Sequence, residues 1–196
     1  MSVKDKEMVP ALAQRGLIGA YDEDAVFVER FVSGDRFAFE HLYAKYHDKV
    51  YAIAKGILLN SEEAADAVQE VFTLVYRHIK RFDRRSRFST WLFRIAVNRS
   101  IQEARKNRNK WRLVELNEAM AQEASADPEH FDPRVHRAIA QLSAPDRAIL
   151  TLFYWEELSL EQIGTSLGCN PNAAKTRLYR ARERFRAIYE GVGVPS

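Results

Sequence analysis

Ala64, Ala67, Val68, Val71, Phe72, Val75 and Ile79 recur at intervals of three and four residues, and this spacing constrains the fold more than any other feature of the chain. It lines one stripe of an α-helix with apolar side chains, which a second apolar surface has to cover. Tyr46, Val50, Ile53 and Ile57 form such a stripe upstream. No segment alternates apolar and polar residues as a half-buried strand does, so the fold reads as all-α.

Cap chemistry marks where the helices begin and end. Ser33-Gly34-Asp35 punctuates the chain before the first long helix, and Asn60, with Glu63 three places later, can cap the second. Asp83 to Ser89 is a polar break, after which Trp91, Leu92, Ile95 and Ala96 restart a helix. Farther on, Ser143-Ala-Pro-Asp146 precedes a helix with Ile149, Leu152 and Phe153 on its buried side. A second box, Ser159-Leu-Glu-Gln162, opens a short helix whose Leu160, Ile163 and Leu167 point inward. Gly168 suits its left-handed end, and Asn170 followed by Pro171 starts the next helix, where a missing N–H costs nothing. The product is helix, three-residue turn, helix.

Charge is sorted along the chain. The net formal charge is only +3. Yet Arg77 to Arg112 holds thirteen Lys/Arg against Asp83 and Glu103, Leu113 to Asp132 holds six acids and no Lys or Arg, and Asn170 to Glu190 holds six bases against two acids. Two basic blocks flanking an acidic connector are the footprint of a polyanion binder, although a basic block can also be a solvated helix face. Asp127-Pro128 and Asp132-Pro133 place a boundary in that connector. The resulting division is an N-terminal extension (1–23), a first domain (24–112), the connector (113–132), a second domain (133–190) and a short tail (191–196).

Each basic block carries its own chemistry. In SLEQIGTSLGCNPNAAKTRLYRARERFR the second helix presents Lys175, Thr176, Arg177, Tyr179, Arg180 and Arg182, while Ala174, Leu178, Ala181 and Phe185 turn inward. A helix fits the major groove of B-DNA and its long cations reach guanine edges; Arg184 and Arg186 read as phosphate contacts. In the first block Arg81, Arg84, Arg85, Ser86 and Arg87 crowd a polar loop beside Phe88, Thr90 and Trp91, with Arg94, Asn98 and Arg99 following. Rings beside cations suit bases that have left the stack. Phe88, Trp91 and Phe93 are equally placed to be core residues, and the residue pattern leaves both roles open.

Taken in order, FVSGDRFAFEHLYAKYHDKVYAIAKGIL, DAVQEVFTLVY, SRFSTWLFRIAVNRSIQEARKNR and the helix-turn-helix ending KTRLYRARERFR resemble an extracytoplasmic-function sigma factor, the minimal sigma-70 type. The resemblance runs from about Asp24 to Tyr189. It implies two small helical domains, regions two and four, joined by a flexible acidic linker threading a polymerase channel. It also implies core RNA polymerase and promoter DNA as partners, commonly an anti-sigma factor as well, and no cofactor. By resemblance, Asp66, Gln69 and Glu70 dock on the β′ clamp helices, and the surface near Leu152, Phe153 and Leu158 seats the β flap tip. The loop from Asp83 to Phe88 captures a flipped minus-ten base, with Phe88, Thr90, Trp91, Arg94 and Asn98 on the adjoining strand-opening helix. Lys175, Thr176, Tyr179 and Arg180 match the minus-thirty-five readers. Ala65 and Ala67 stand where many relatives have Glu and Leu, and Gln102 where Asp is frequent, which makes the first surface less acidic and that helix more basic.

Other classes fit less well. There is no Gly-rich phosphate loop and no nucleophile–base pair, and His41, His47, His78, His130 and His136 lack metal-ligand spacing, so neither an enzyme nor a metal site is expected. Cys169 is the sole cysteine, which excludes an intrachain disulfide and fits a reducing cytoplasm. No run approaches the roughly 20 apolar residues of a membrane span, and the N-terminal residues lack a signal peptide's apolar stretch, so a cytoplasmic location is expected. Two rivals remain at this stage: a stand-alone helix-turn-helix regulator whose N-terminal half senses or dimerises, and a helical interaction module that never touches DNA.

Overall fold

A computed structural model describes residues 23–114 and 133–191. Most of the expected extension, connector (with Asp127-Pro128 and His130) and tail lies outside the described residues, among which every regular element is helical. Helix α1 (Glu23–Val32) ends at Ser33-Gly34, and the Asp35 carboxylate then accepts from the Phe37 N–H at 3.0 Å to start α2 (Arg36–Leu58). Asn60 caps α3 (Ser61–His78) by accepting from the Glu63 N–H at 3.0 Å, as its sequence position predicts. A 3₁₀ turn, Ile79–Arg81, leads into the arginine loop and then into α4 (Phe88–Val114).

The two apolar stripes meet as the spacing requires. Tyr46, Val50, Ile53 and Ile57 of α2 are buried against Val68, Val71, Phe72 and Val75 of α3 in one cluster, each large side chain contributing roughly 1.5–3 kcal/mol. Ala54, Leu58, Ala64 and Ala67 form a smaller cluster near the α2–α3 turn. Asp24 ties α1 down: its carboxylate, 4% exposed, accepts from Tyr46 Oη and from Lys45 Nζ. Helix α4 begins three residues before the restart expected at Trp91. Phe88 is fully buried, 5.8 Å from the Tyr46 ring and 5.9 Å from the Phe82 ring, and the Trp91 N–H already donates to the Arg87 carbonyl at 3.2 Å.

The second group comprises α5 (Pro133–Gln141), α6 (Ala144–Tyr154), α7 (Leu160–Leu167) and α8 (Pro171–Tyr189). Every cap foreseen here forms. Ser143 accepts from the Asp146 N–H, Ser159 and Gln162 close a reciprocal capping box, and Asn170 accepts from the Ala173 N–H at 2.8 Å. Gly168 takes φ of 66°, which lets α7 end and turn sharply into α8. The Arg184 guanidinium donates to Asp146 at 2.9 Å and so fastens α8 to α6.

The two groups pack on one another, α6 against α2 and α6 and α7 against α4, and their buried residues form one continuous apolar cluster. Arg147 of α6 donates from Nε to the Ile57 carbonyl and from Nη1 to the Leu142 carbonyl, each at 2.7 Å. Ile57 lies in the last turn of α2, where carbonyls lack helical partners, and Leu142 follows the end of α5. One cation thus caps two helix ends, where the helix dipole favours positive charge. Close approach is possible because position 56 is glycine: a Cβ there would lie 2.5 Å from Thr151 Oγ1 and 3.0 Å from its Cγ2.

Glu156, just beyond α6, is half-buried, and that burial pushes its carboxyl above the ordinary range against the opposing pull of Lys49 on α2. A raised folded pKa means that stability is greatest while the group is protonated and falls as pH rises from the unfolded value through the folded one. Urea unfolding between about pH 4 and 7 should therefore show a pH slope from this residue that Glu156→Gln removes, leaving the variant the more stable chain at neutral pH.

Candidate nucleic-acid interface

Helix α8 sorts its side chains as the helix-turn-helix pattern requires. Ala174, Leu178 and Ala181 are buried and Phe185 half-buried, whereas Lys175, Thr176, Arg177, Tyr179, Arg180 and Arg182 are exposed. Tyr179, 63% exposed, stands out from the surface between the cations. Arg182 diverges from the rest: its guanidinium lies 4.8 Å from the Phe153 ring centroid and 5.3 Å from that of Tyr154, so it leans toward α6. Arg184 and Arg186, read from sequence as phosphate contacts, are ion-paired with Asp146 and Glu183.

The arginine loop is more ordered by partners than its composition suggests. Arg84 holds φ of 59° and pairs with Glu29 of α1, and Arg85 pairs with Asp83 at 3.2 Å. Those carboxylates relieve part of the repulsion expected of crowded cations. Arg81, Arg85 and Arg87 are exposed, Ser86 is half-buried, and Arg94 and Asn98 are exposed on α4 in the turns that follow. The rings resolve the ambiguity left by the sequence. Phe88 and Phe93 are core residues, and Thr90 is only 5% exposed. Trp91 is half-buried, its ring 5.4 Å from Phe82 and 5.9 Å from Phe88. In this arrangement Phe88 and Thr90 therefore support the surface from beneath and offer no face to a ligand.

Two further surfaces adjoin these. Asp66, Gln69 and Glu70 are exposed together on α3, with Glu70 paired to Arg99 of α4, which also holds Glu103. Near the end of α6, Leu152 is fully buried and anchors the helix, so only the half-buried Phe153 and Leu158 line the apolar seat. Tyr154 (54% exposed) and Trp155 (63%) extend that seat and were missed from sequence, since an aromatic run at a helix end reads as core until its orientation is known.

Comparison with known proteins agrees with this geometry. The family model Sigma-70 region 2 matches residues 42–110, and Sigma-70, region 4 matches residues 133–185. RNA polymerase sigma-H factor of Pseudomonas aeruginosa is 31% identical over 176 residues, covering 83% of this chain and 91% of the relative. The ECF RNA polymerase sigma factor SigW of Bacillus subtilis is 31% identical over 174 residues (81% and 92%). The ECF RNA polymerase sigma-E factor of Escherichia coli K12 is 33% identical over 174 residues (82% and 91%). Among solved structures, CnrH in complex with the cytosolic domain of CnrY superposes with a TM-score of 0.66 at 22% identity, over 87% of this chain and 99% of that one. The sigma factor RpoE bound to the anti-sigma factor NepR from Bartonella quintana gives 0.63 at 22% identity (78% and 96%).

An all-helical chain with a groove-fitting helix in one half and a cation-and-ring loop in the other belongs to the sigma-70 class of transcription initiation factors, which are non-catalytic. Within that class the chain belongs to the extracytoplasmic-function sigma factors of the two-domain type.

The structural role of Phe88 is directly measurable. Phe88→Ala should lower unfolding free energy by about 3–5 kcal/mol, whereas Arg87→Ala, at an exposed position, should change it by less than about 0.5 kcal/mol; paired urea titrations check both.

Proposed function

We propose that this sigma factor divides promoter recognition between its two halves. Lys175, Thr176, Arg177, Tyr179 and Arg180 read the duplex minus-thirty-five element from the major groove. Arg81, Arg85, Ser86, Arg87, Trp91, Arg94 and Asn98 hold the minus-ten strand once it has unpaired, and Arg84 sets the loop's shape through Glu29. Asp66, Gln69 and Glu70 engage the clamp helices of core polymerase. Phe153 and Leu158, extended by Tyr154 and Trp155, seat the flap.

The observation that carries this reading is the coexistence on one chain of two unlike cationic surfaces. A straight helix bearing long cations suits a closed groove. A loop of arginines beside a tilted tryptophan suits unstacked bases, for which stacking is worth about 1–3 kcal/mol each. Binding the open strand better than the closed one is sufficient to drive opening, so this chain needs no hydrolysis and no catalytic group. Among the described residues no helix is long and apolar enough to cross a membrane. We place the protein in the cytoplasm, with the polymerase.

Run-off transcription on a genomic fragment library, with purified core polymerase with and without the chain, tests the reading. Chain-dependent transcripts are expected. On the promoters so found, Arg180→Ala should weaken use of the upstream element by about 1–3 kcal/mol. Absence of chain-dependent transcripts would overturn the reading, and unchanged promoter preference would remove Arg180 from it.

A further inference from the structure

The contact between the halves covers one nucleic-acid surface and leaves the other open. Helix α7 lies across from the arginine loop, and Arg85, Ser86, Arg87 and Thr90 line one side of a cleft whose other side is Glu161, Gln162 and Thr165. Farther along α4, the Arg94 guanidinium comes within 3.8 Å of where a Cβ on Gly168 would sit, so the helix-turn-helix corner is next to it. Thr90 is 5% exposed in this cleft. The Glu161 carboxyl is held below its ordinary range by its own backbone N–H and by the Ser159 hydroxyl, so α7 presents an ionised carboxylate to the loop. By contrast Lys175, Thr176, Arg177, Tyr179 and Arg180 of α8 all face solvent.

We propose that the chain carries its own latch: α6 and α7 cover the strand-capturing face of the first half, so that the free protein is closed to unpaired DNA while its groove-reading helix stays available. The inference rests on the assignment of that face to unpaired strand. The contact is built for this fit. Gly56 leaves room for Thr151, which is 4% exposed, and Arg147 closes the end of α2 from the opposite half. Glu161 occupies the side of the cleft toward which a strand's phosphates would be drawn. A closed population reduces apparent affinity in proportion to the open fraction, and anything that binds only the open form, polymerase included, releases the latch.

The position of Thr151 provides the test. A Cβ on residue 56 would lie 3.3 Å from Thr151 Cβ, close to the roughly 3.5–4.5 Å spanned in a disulfide. In the full chain carrying Cys169→Ser, the pair Gly56→Cys and Thr151→Cys should form an intrachain crosslink on mild oxidation. Anisotropy of a random-sequence single-stranded DNA oligomer should then show affinity lower by about tenfold or more in the oxidised than in the reduced form. Binding of a random-sequence duplex should be equal in both. A reductant should restore single-strand binding. Failure of the folded pair to crosslink, or equal single-strand binding by both forms, would overturn the latch. Because this readout contains no polymerase, it is independent of the run-off assay, whose failure would instead overturn the promoter-recognition reading.

Discussion

Arg147 joins the two halves at a point where each would otherwise expose helix-end carbonyls. Its guanidinium is largely removed from water, which lowers its pKa, and it has the Ile57 and Leu142 carbonyls as acceptors. Burying a cation is costly unless its donors are satisfied, and the end of a helix is the backbone environment that satisfies them best. The glycine at position 56 and the buried Leu150 and Thr151 are consequences of this docking, because the guanidinium reaches the end of α2 only if α6 lies close against it. The same docking decides which surfaces are open. It turns α8 outward and brings α7 over the arginine loop.

The two DNA-facing surfaces differ in how they resist their own charge. On α8 the cations alternate with buried alanines and a leucine, and a helix of 19 residues spreads them along its length, so solvent screens them. The loop compresses its cations into a few residues and needs carboxylates to do so: Glu29 for Arg84 and Asp83 for Arg85. Beneath it Phe82, Phe88 and Trp91 form a ring cluster tied to Tyr46, so the loop rests on the α2 core. A rigid groove reader and a supported capture loop are suited to different forms of the same polymer. That is the physical basis for assigning one to duplex and the other to unpaired strand.

Local chemistry made much of this legible in the sequence. The stripes on α2 and α3, and the caps at Asn60, Ser143, Ser159 and Asn170, depend on residues within a turn of one another, and each formed as read. What the sequence left hidden depends on residues far apart. Glu29 and Arg84 are 55 positions apart, and Arg147 and Ile57 are 90 apart, so neither pairing leaves a periodic trace. Gly56 inside a helical stripe looked unremarkable until Thr151 was found against it. The rings at positions 88 and 93 could not be sorted into core or surface by spacing, since a helix start offers both; packing against Tyr46 decided it.

The central claim is that the arginine loop and its rings reward only bases that have left their pairs. The most direct measurement compares the affinity of reconstituted holoenzyme for one promoter in two forms, opened by mismatch across the minus-ten element and fully annealed. The account predicts tighter binding to the opened template, with the difference shrinking when Arg85 and Arg87 are neutralised. Equal affinity for both templates would contradict it.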